Sequence, residues 1–171
     1  MNPYNMHYTF GDDLRAHPED IPDFKAGINY HIQQLKQEEH LKERCRLLSS
    51  IGINQAIAGL LEASLKHLLE AKKLLENSEH VQLYLINEIR LAQTYQFLKQ
   101  FKKAEAIYQV IEVYIEKHPA HNNLLHVVYQ HKGKNYFEQA EYALAECYIS
   151  CLLYTSPSPR DTTLSRMPSS A

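Results

Sequence analysis

The residues most able to carry chemistry in this chain are its ten histidines and three cysteines. His118, His121 and His126 lie around a turn at Pro119, and His131 follows five residues after His126. A zinc site needs three or four ligands that converge on one point, often with histidines at i, i+3 or i+4 on one helix face. His118 and His121 have this spacing, but they lie at a predicted helix end without an accompanying cysteine or acidic triad. The pattern therefore favours surface or capping histidines, and we expect no metal.

Cys45 is the best candidate for a nucleophile. Its neighbours Arg44 and Arg46 could lower the pKa of the thiol, whereas Leu48 places it on the apolar side of a helix, and this core interpretation is favoured. The chain has no G-x-S-x-G, Walker-type or H-E-x-x-H motif. The sequence therefore predicts no catalytic residue and no cofactor, and we expect that the protein is not an enzyme.

The helices that position these residues follow a pattern that occurs three times, about every 40 residues. Each copy has a small residue at its origin and another at offset +12, with mostly large or aromatic residues at +3, +9 and +16. Small residues let two antiparallel helices approach to about 8–10 Å where they cross. The pattern predicts that six small residues are buried at helix crossings: Gly52, Ser64, Ala92, Ala104, Gly133 and Ala145.

Over about residues 45–150 this pattern resembles the tetratricopeptide repeat (TPR), whose consensus has Leu-Gly, Tyr, Gly, Tyr, Ala, Phe and Ala at these places. The copies begin 40 and 41 residues apart, more than the common period of about 34. Gln55, Lys99 and Lys132 stand where the consensus has Tyr, a small turn residue and Leu. The resemblance implies an all-α fold: an α-solenoid of antiparallel TPR helix pairs, with two complete repeats, a truncated third and an N-terminal capping helix.

The coarse element order follows from periodicity and from helix-start signals. Residues 1–18 lack periodicity, so we expect a loose N-terminal arm. Glu19-Asp20 followed by Pro22 indicates a helix start, with acidic residues near the positive end of the helix dipole. Helices are expected near 20–37, 39–58, 61–77, 80–98, 101–118, 122–139 and 142–150.

Residues 151–171 have a different composition from the rest of the chain. Pro157, Pro159 and Pro168 cannot lie in a helix interior, because proline lacks a backbone donor and clashes with the preceding turn. Two stretches, 151–161 and 165–171, resemble the translation of a sequencing-library adapter in one reading frame. We therefore expect a non-native, disordered tail from adapter read-through, which leaves residues 19–150 as a repeat domain truncated at its C-terminal end.

Charge and cysteine content restrict the partners and the compartment. The tail carries two arginines and one aspartate, so the rest of the chain has a formal charge of −3, against −2 for the whole. A nucleic-acid interface would need a concentrated basic face, and no apolar run approaches the roughly 20 residues of a membrane span. Outside the tail, Cys45 and Cys147 have no regular spacing and indicate buried thiols. We expect a cytoplasmic protein with no nucleic-acid and no membrane partner.

The resemblance also implies where a partner would bind. In TPR proteins the first helix of each pair lines a concave surface that binds extended peptides or partner helices. Arg90, His131 and Lys134 could there hold a carboxylate, while Ile89 and Phe97 could take an apolar anchor. An open alternative is that these residues only form the polar inner face of a solenoid. The candidate partner-binding residues are Arg46, Ile89, Arg90, Gln93, Gln96, Phe97, Gln130, His131 and Lys134.

Two functions follow from this surface. The first is a non-enzymatic protein-interaction module or scaffold that presents a concave helical surface to a peptide or partner protein. The alternative is a peptide-responsive bacterial regulator or sensor of the long-period TPR type. A third helix pair without a cap would expose apolar surface, so we also expect self-association through the uncapped C-terminal end.

Overall fold

The computed structural model describes residues 2–11 and 15–155, with side chains as far as Cys151. In this part of the chain there are two short strands, seven α-helices and one 3-10 helix. The helices pack on their neighbours in the chain, so the fold class is all-α, as the sequence predicts. The elements are β1 (Tyr8–Phe10), β2 (Ala16–Pro18), α1 (Ile21–Gln37), α2 (Leu41–Ile57), α3 (Leu61–Leu75), α4 (Val81–Phe97), α5 (Phe101–Lys117), the 3-10 helix Pro119–Leu124, α6 (Leu125–Phe137) and α7 (Tyr142–Thr155).

Helix α1 begins where the sequence predicts a helix start. The Asp23 amide donates a hydrogen bond of 2.8 Å to the Asp20 side chain, which caps the helix, and a proline occupies the first turn. Phe24 and Ile28 are buried on one face of α1 and belong to a core cluster that also contains Leu48 of α2. Helix α1 therefore packs on α2, the helix that follows it in the chain.

All six small residues that the pattern places at helix crossings are buried, which confirms that prediction. A Cβ atom at Gly52 would lie 2.5 Å from Cγ of Leu68 and 3.3 Å from the carbonyl oxygen of Ser64. At Gly133 it would lie 3.4 Å from the carbonyl oxygen of Ala145. In both cases the residue at the origin of a copy faces the residue at offset +12, so the repeated spacing has a direct steric cause.

The turns after α2, α4 and α6 share one backbone geometry. Gly59, Lys99 and Ala140, all at offset +7, have φ angles of 79°, 60° and 61° in the left-handed region. The amide that follows each of them donates to the carbonyl oxygen five residues earlier, at 2.8, 2.8 and 3.0 Å. This is the Schellman pattern that ends a helix, in which glycine is the least strained residue.

Replacing Ala140 with glycine is expected to raise the free energy of unfolding by about 1 kcal/mol, because a left-handed residue with a Cβ carries roughly that strain. The reverse change, Gly59→Ala, is expected to lower the free energy of unfolding by a similar amount. An added Cβ meets nothing within 4 Å, so the strain of the left-handed backbone is the cost. Urea denaturation of both variants measures the effect. Two variants with unchanged midpoints would contradict the assigned turn geometry.

Helices α2, α4 and α6 lie on one side of the molecule. Besides packing on its chain neighbours, α2 contacts α4, and α4 contacts α6. One core cluster joins α1, α2 and α3, and a second joins α4, α5 and α6. Within the described ranges, no helix is both long and apolar enough to cross a lipid bilayer.

The N-terminal segment differs from the loose arm that the sequence predicts. Strands β1 and β2 pair antiparallel, with Thr9 opposite His17, and form a hairpin. Before the hairpin, the side-chain amide of Asn2 donates to the carbonyl oxygen of Gly27 at 3.4 Å, and Met6 covers the same glycine. Long-range contacts of this kind have no local periodicity and so leave no sequence signal.

The last helix also differs from its predicted bounds. Helix α7 continues to Thr155, five residues beyond the expected end at 150. The remainder of the predicted tail, 156–171, lies outside the described residues.

Candidate functional site

A groove of about 460 Å³ lies between α2, α4, α6 and the hairpin. This size is within the range of ligand-binding clefts, roughly 300–1,000 Å³. Its lining is mainly aromatic and aliphatic, and the polar part consists of three glutamines, one histidine, one lysine and one glutamate. The lining residues are Tyr8, Phe10, Ala16, Ile53, Ile57, Gln93, Gln96, Phe97, Gln130, His131, Lys134, Phe137, Glu138 and Ile149.

Six of the nine candidate partner-binding residues line this groove: Gln93, Gln96, Phe97, Gln130, His131 and Lys134. Ile89 does not, because it is 4% exposed in the core cluster between α4 and α5. It therefore cannot serve as the apolar anchor that the register implies. Arg90 donates to Oγ of Ser49 at 3.0 Å, Arg46 pairs with Glu43 at 2.8 Å, and neither arginine is among the residues that line the groove.

The floor of the groove is fixed by a hydrogen-bond network that joins three helices. The Gln96 amide donates to the His131 carbonyl oxygen at 3.0 Å, and the Tyr108 hydroxyl donates to the Gln96 side-chain oxygen at 2.7 Å. The His131 ring stacks on Tyr108, with the ring planes 9° apart. Both ends of the Gln96 amide are therefore bonded within the protein and link α4, α5 and α6. A partner would contact Gln96 only as part of a rigid floor.

His131 is electrically neutral in the folded protein. The Gln93 amide donates a hydrogen bond to its imidazole, which suits a neutral ring. Burial, with a smaller contribution from the nearby Lys134 charge, lowers the pKa of His131 to about 3. It therefore does not provide the positive charge for carboxylate binding that the sequence suggested.

Lowering the pH from 7 to 5 is expected to cost up to about 2 kcal/mol of stability through His131 alone. Its pKa is depressed on folding, so its stabilising contribution is complete above the unfolded pKa of 6.5 and declines as the pH falls toward 3. Urea denaturation of the parent and of His131→Gln at both pH values measures this. The variant should lose less stability between pH 7 and 5, and equal losses would contradict a neutral His131.

Glu138 is a site residue that the sequence analysis missed. Its carboxylate is 9% exposed and accepts bonds from Arg15 at 2.7 Å and from Lys99 at 2.8 Å. Burial would raise its pKa, but these bonds and charges outweigh it and hold the pKa of Glu138 below its usual value. The available signal was its position four residues after Lys134, directly after the last residue of α6. Arg15 lay in a segment with no periodicity to mark it.

The other chemically capable residues have structural surroundings. His118 stacks on Tyr114, with ring centroids 4.1 Å apart, and its Nδ1 donates to the Tyr114 carbonyl oxygen at 2.8 Å. Cys45 is fully buried, and burial raises the pKa of its thiol. Cys147 is exposed on α7, contrary to the prediction that it is buried. In the described part of the chain, no three His, Cys, Asp or Glu residues are arranged to hold a metal.

Comparison of the chain with protein-family models, with curated proteins and with solved structures finds no match. The groove and the residues around it therefore provide the basis for a functional proposal.

Proposed function

We propose that this protein is a non-enzymatic interaction module built as a TPR-like α-solenoid. The pairs α2–α3, α4–α5 and α6–α7 are its three repeats, and α1 packs as a cap on the first. Two features support this arrangement: the small residues at helix crossings and the left-handed residue at offset +7 each occur three times in register. Such regularity is expected when one supersecondary unit is stacked repeatedly.

The groove binds an extended segment of a partner protein. The observation that carries this function is that the groove is already lined by extended chain, the hairpin, whose Tyr8 and Phe10 form part of its lining together with residues of α4 and α6. Apolar walls with a few polar groups fit an extended segment whose alternate side chains enter pockets. In the described part of the chain, none of the lining residues is a serine, threonine or cysteine.

A peptide-responsive regulator is the second candidate. One specific observation favours it: Tyr8, Phe10 and Ala16 of the hairpin line the groove and Arg15 bonds Glu138 there, so a partner must compete with part of the chain itself. Binding would then be coupled to release of Arg15 and of the β1 and β2 residues that line the groove. A constitutive scaffold would have no need of this coupling.

Selection from a display library of random peptides tests the proposed function. Peptides selected on the full chain should lose at least about tenfold in affinity for Phe97→Ala, because an aromatic wall of the groove is removed. They should bind Leu69→Ala unchanged, since Leu69 is 45% exposed on α3 and lies outside the groove. Selected peptides that are insensitive to Phe97→Ala would contradict binding in the groove.

Self-association through α7 stays a prediction. Tyr142 and Leu144 are 62% and 46% exposed there, so a second copy could cover an apolar face. Sedimentation velocity should give a sedimentation coefficient that increases with concentration for the parent and less so for Leu144→Glu. A monomer over the whole concentration range would contradict it.

A further inference from the structure

The rim of the groove contains a site for a guanidinium group. The Arg15 guanidinium carbon lies 5.6 Å from the centroid of the Phe97 ring, and one of its nitrogens donates to Oε2 of Glu138 at 2.7 Å. An aromatic face and a largely buried carboxylate therefore converge on one cationic side chain. The planar guanidinium suits both partners, because it stacks on a ring while it pairs with a carboxylate.

Arg15, which occupies this site, bonds only one of the two oxygens of the Glu138 carboxylate. Oε2 of Glu138 accepts from both Arg15 and Lys99, whereas Oε1 is buried and has no hydrogen-bond partner in the described part of the chain. A buried acceptor without a partner is costly, and a guanidinium can bond both oxygens of a carboxylate at once. An arginine that approaches in this two-point geometry would satisfy the oxygen that the hairpin leaves without a bond.

The hairpin lines one side of the groove without being buried there. Tyr8 and Phe10 line the groove but remain 45% and 68% exposed. Strands of three residues in an isolated pair have little stability of their own. The hairpin therefore depends on contacts with the rest of the chain, and a competitor that makes better contacts in the groove can displace the side chains that the hairpin places there.

We propose, as a refinement that rests on the proposed function, that the groove binds an arginine-bearing extended segment of a partner protein, with the guanidinium between Phe97 and Glu138, and that Arg15 of the hairpin occupies this guanidinium site until the partner displaces it. The occupant is a protein segment rather than a small amine, because the groove is also lined by apolar residues on α2, α6 and α7 that a small amine would not contact: Ile53, Ile57, Phe137 and Ile149. The hairpin itself shows the chemistry of the ligand: aromatic side chains followed by an arginine.

Occupation by the hairpin lowers the apparent affinity for a partner. A tethered segment acts at an effective concentration of about millimolar, and a ligand binds only the fraction of molecules in which the site is open. Arg15→Gln removes the charged contact of the hairpin and should increase this fraction. Partner binding should therefore become tighter in a variant that leaves every residue of the groove floor unchanged.

The test uses the full chain, as parent and as Arg15→Gln, with a fluorescent peptide that has the sequence of residues 7–19. A second peptide carries citrulline in place of the arginine, which removes the charge but keeps the shape. Fluorescence anisotropy should show about tenfold tighter binding of the arginine peptide to Arg15→Gln than to the parent, and about tenfold preference for arginine over citrulline. Adding Glu138→Gln to Arg15→Gln should abolish the preference for the arginine peptide over the citrulline peptide. Adding Glu146→Gln, an exposed position on α7, should keep it.

Each contrary outcome has a distinct meaning. Equal binding of the two peptides to Arg15→Gln would overturn the guanidinium site and leave peptide binding in the groove intact. No binding of either peptide, while library-selected peptides still bind, would overturn occupation by the hairpin. Equal affinity of the parent and Arg15→Gln for the arginine peptide would overturn displacement. The proposed function itself would be overturned only if the library-selected peptides also failed to bind.

Discussion

Replacing Lys132 with methionine is expected to lower the free energy of unfolding by about 3 kcal/mol. The Lys132 side chain is fully buried, and its Nζ lies 2.6 Å from Oε2 of Glu112 and 3.4 Å from Oε1 of Glu105. It also lies 4.4 Å from the centroid of the Tyr148 ring. Burial lowers the pKa of Lys132, but the hydrogen bonds and charges of these partners outweigh it, so the pKa is raised and the amine stays charged. Methionine would leave two carboxylates without their cation.

The loss should fall at the lower end of the roughly 3–5 kcal/mol range for a broken buried pair, because Glu105 and Glu112 remain 26% and 14% exposed. Urea denaturation measures it, with Lys102→Met as the control at an exposed position of α5, where we expect a change within about 0.5 kcal/mol. Adding Glu112→Gln to Lys132→Met should recover part of the loss. If Lys132→Met is as stable as the parent, the cluster does not hold α5, α6 and α7 together.

Replacing Gly52 with valine is expected to cost about 3 kcal/mol, the upper part of the usual range for overpacking. Even the first added carbon would lie 2.5 Å from Cγ of Leu68 and 3.3 Å from a backbone oxygen of α3. A backbone atom cannot move aside by a change of rotamer, so α2 and α3 must separate. This separation would disturb the crossing on which the first helix pair depends.

The matched control is Arg46→Val in the same helix, where the side chain is 68% exposed and its pairing with Glu43 contributes little. Both changes place a β-branched residue in α2, so their difference in denaturation midpoint isolates the crossing. We expect Arg46→Val to stay within about 1 kcal/mol of the parent. Equal losses for the two variants would show that the α2–α3 crossing can open at little cost.

The sequence by itself determined where most helices begin and which small residues lie at their crossings. Asp20 followed by Pro22 specifies a helix start through atoms within one turn. Gly52 and Gly133 indicate close approach because a Cβ at either position meets the partner helix of the same pair. These signals are local or repeat at a fixed spacing, so one chain is enough to recognise them.

Only the tertiary structure decided which residues of a helix face reach the groove and what occupies it. Ile89 and Phe97 both lie on α4, but Ile89 is covered by the core while Phe97 lines the groove. Arg15 meets Glu138 across 123 residues of sequence, and Lys132 finds its acidic partners only where α5 packs on α6. Such pairs depend on how separate helices and the hairpin stack in three dimensions, and no spacing along the chain encodes that distance.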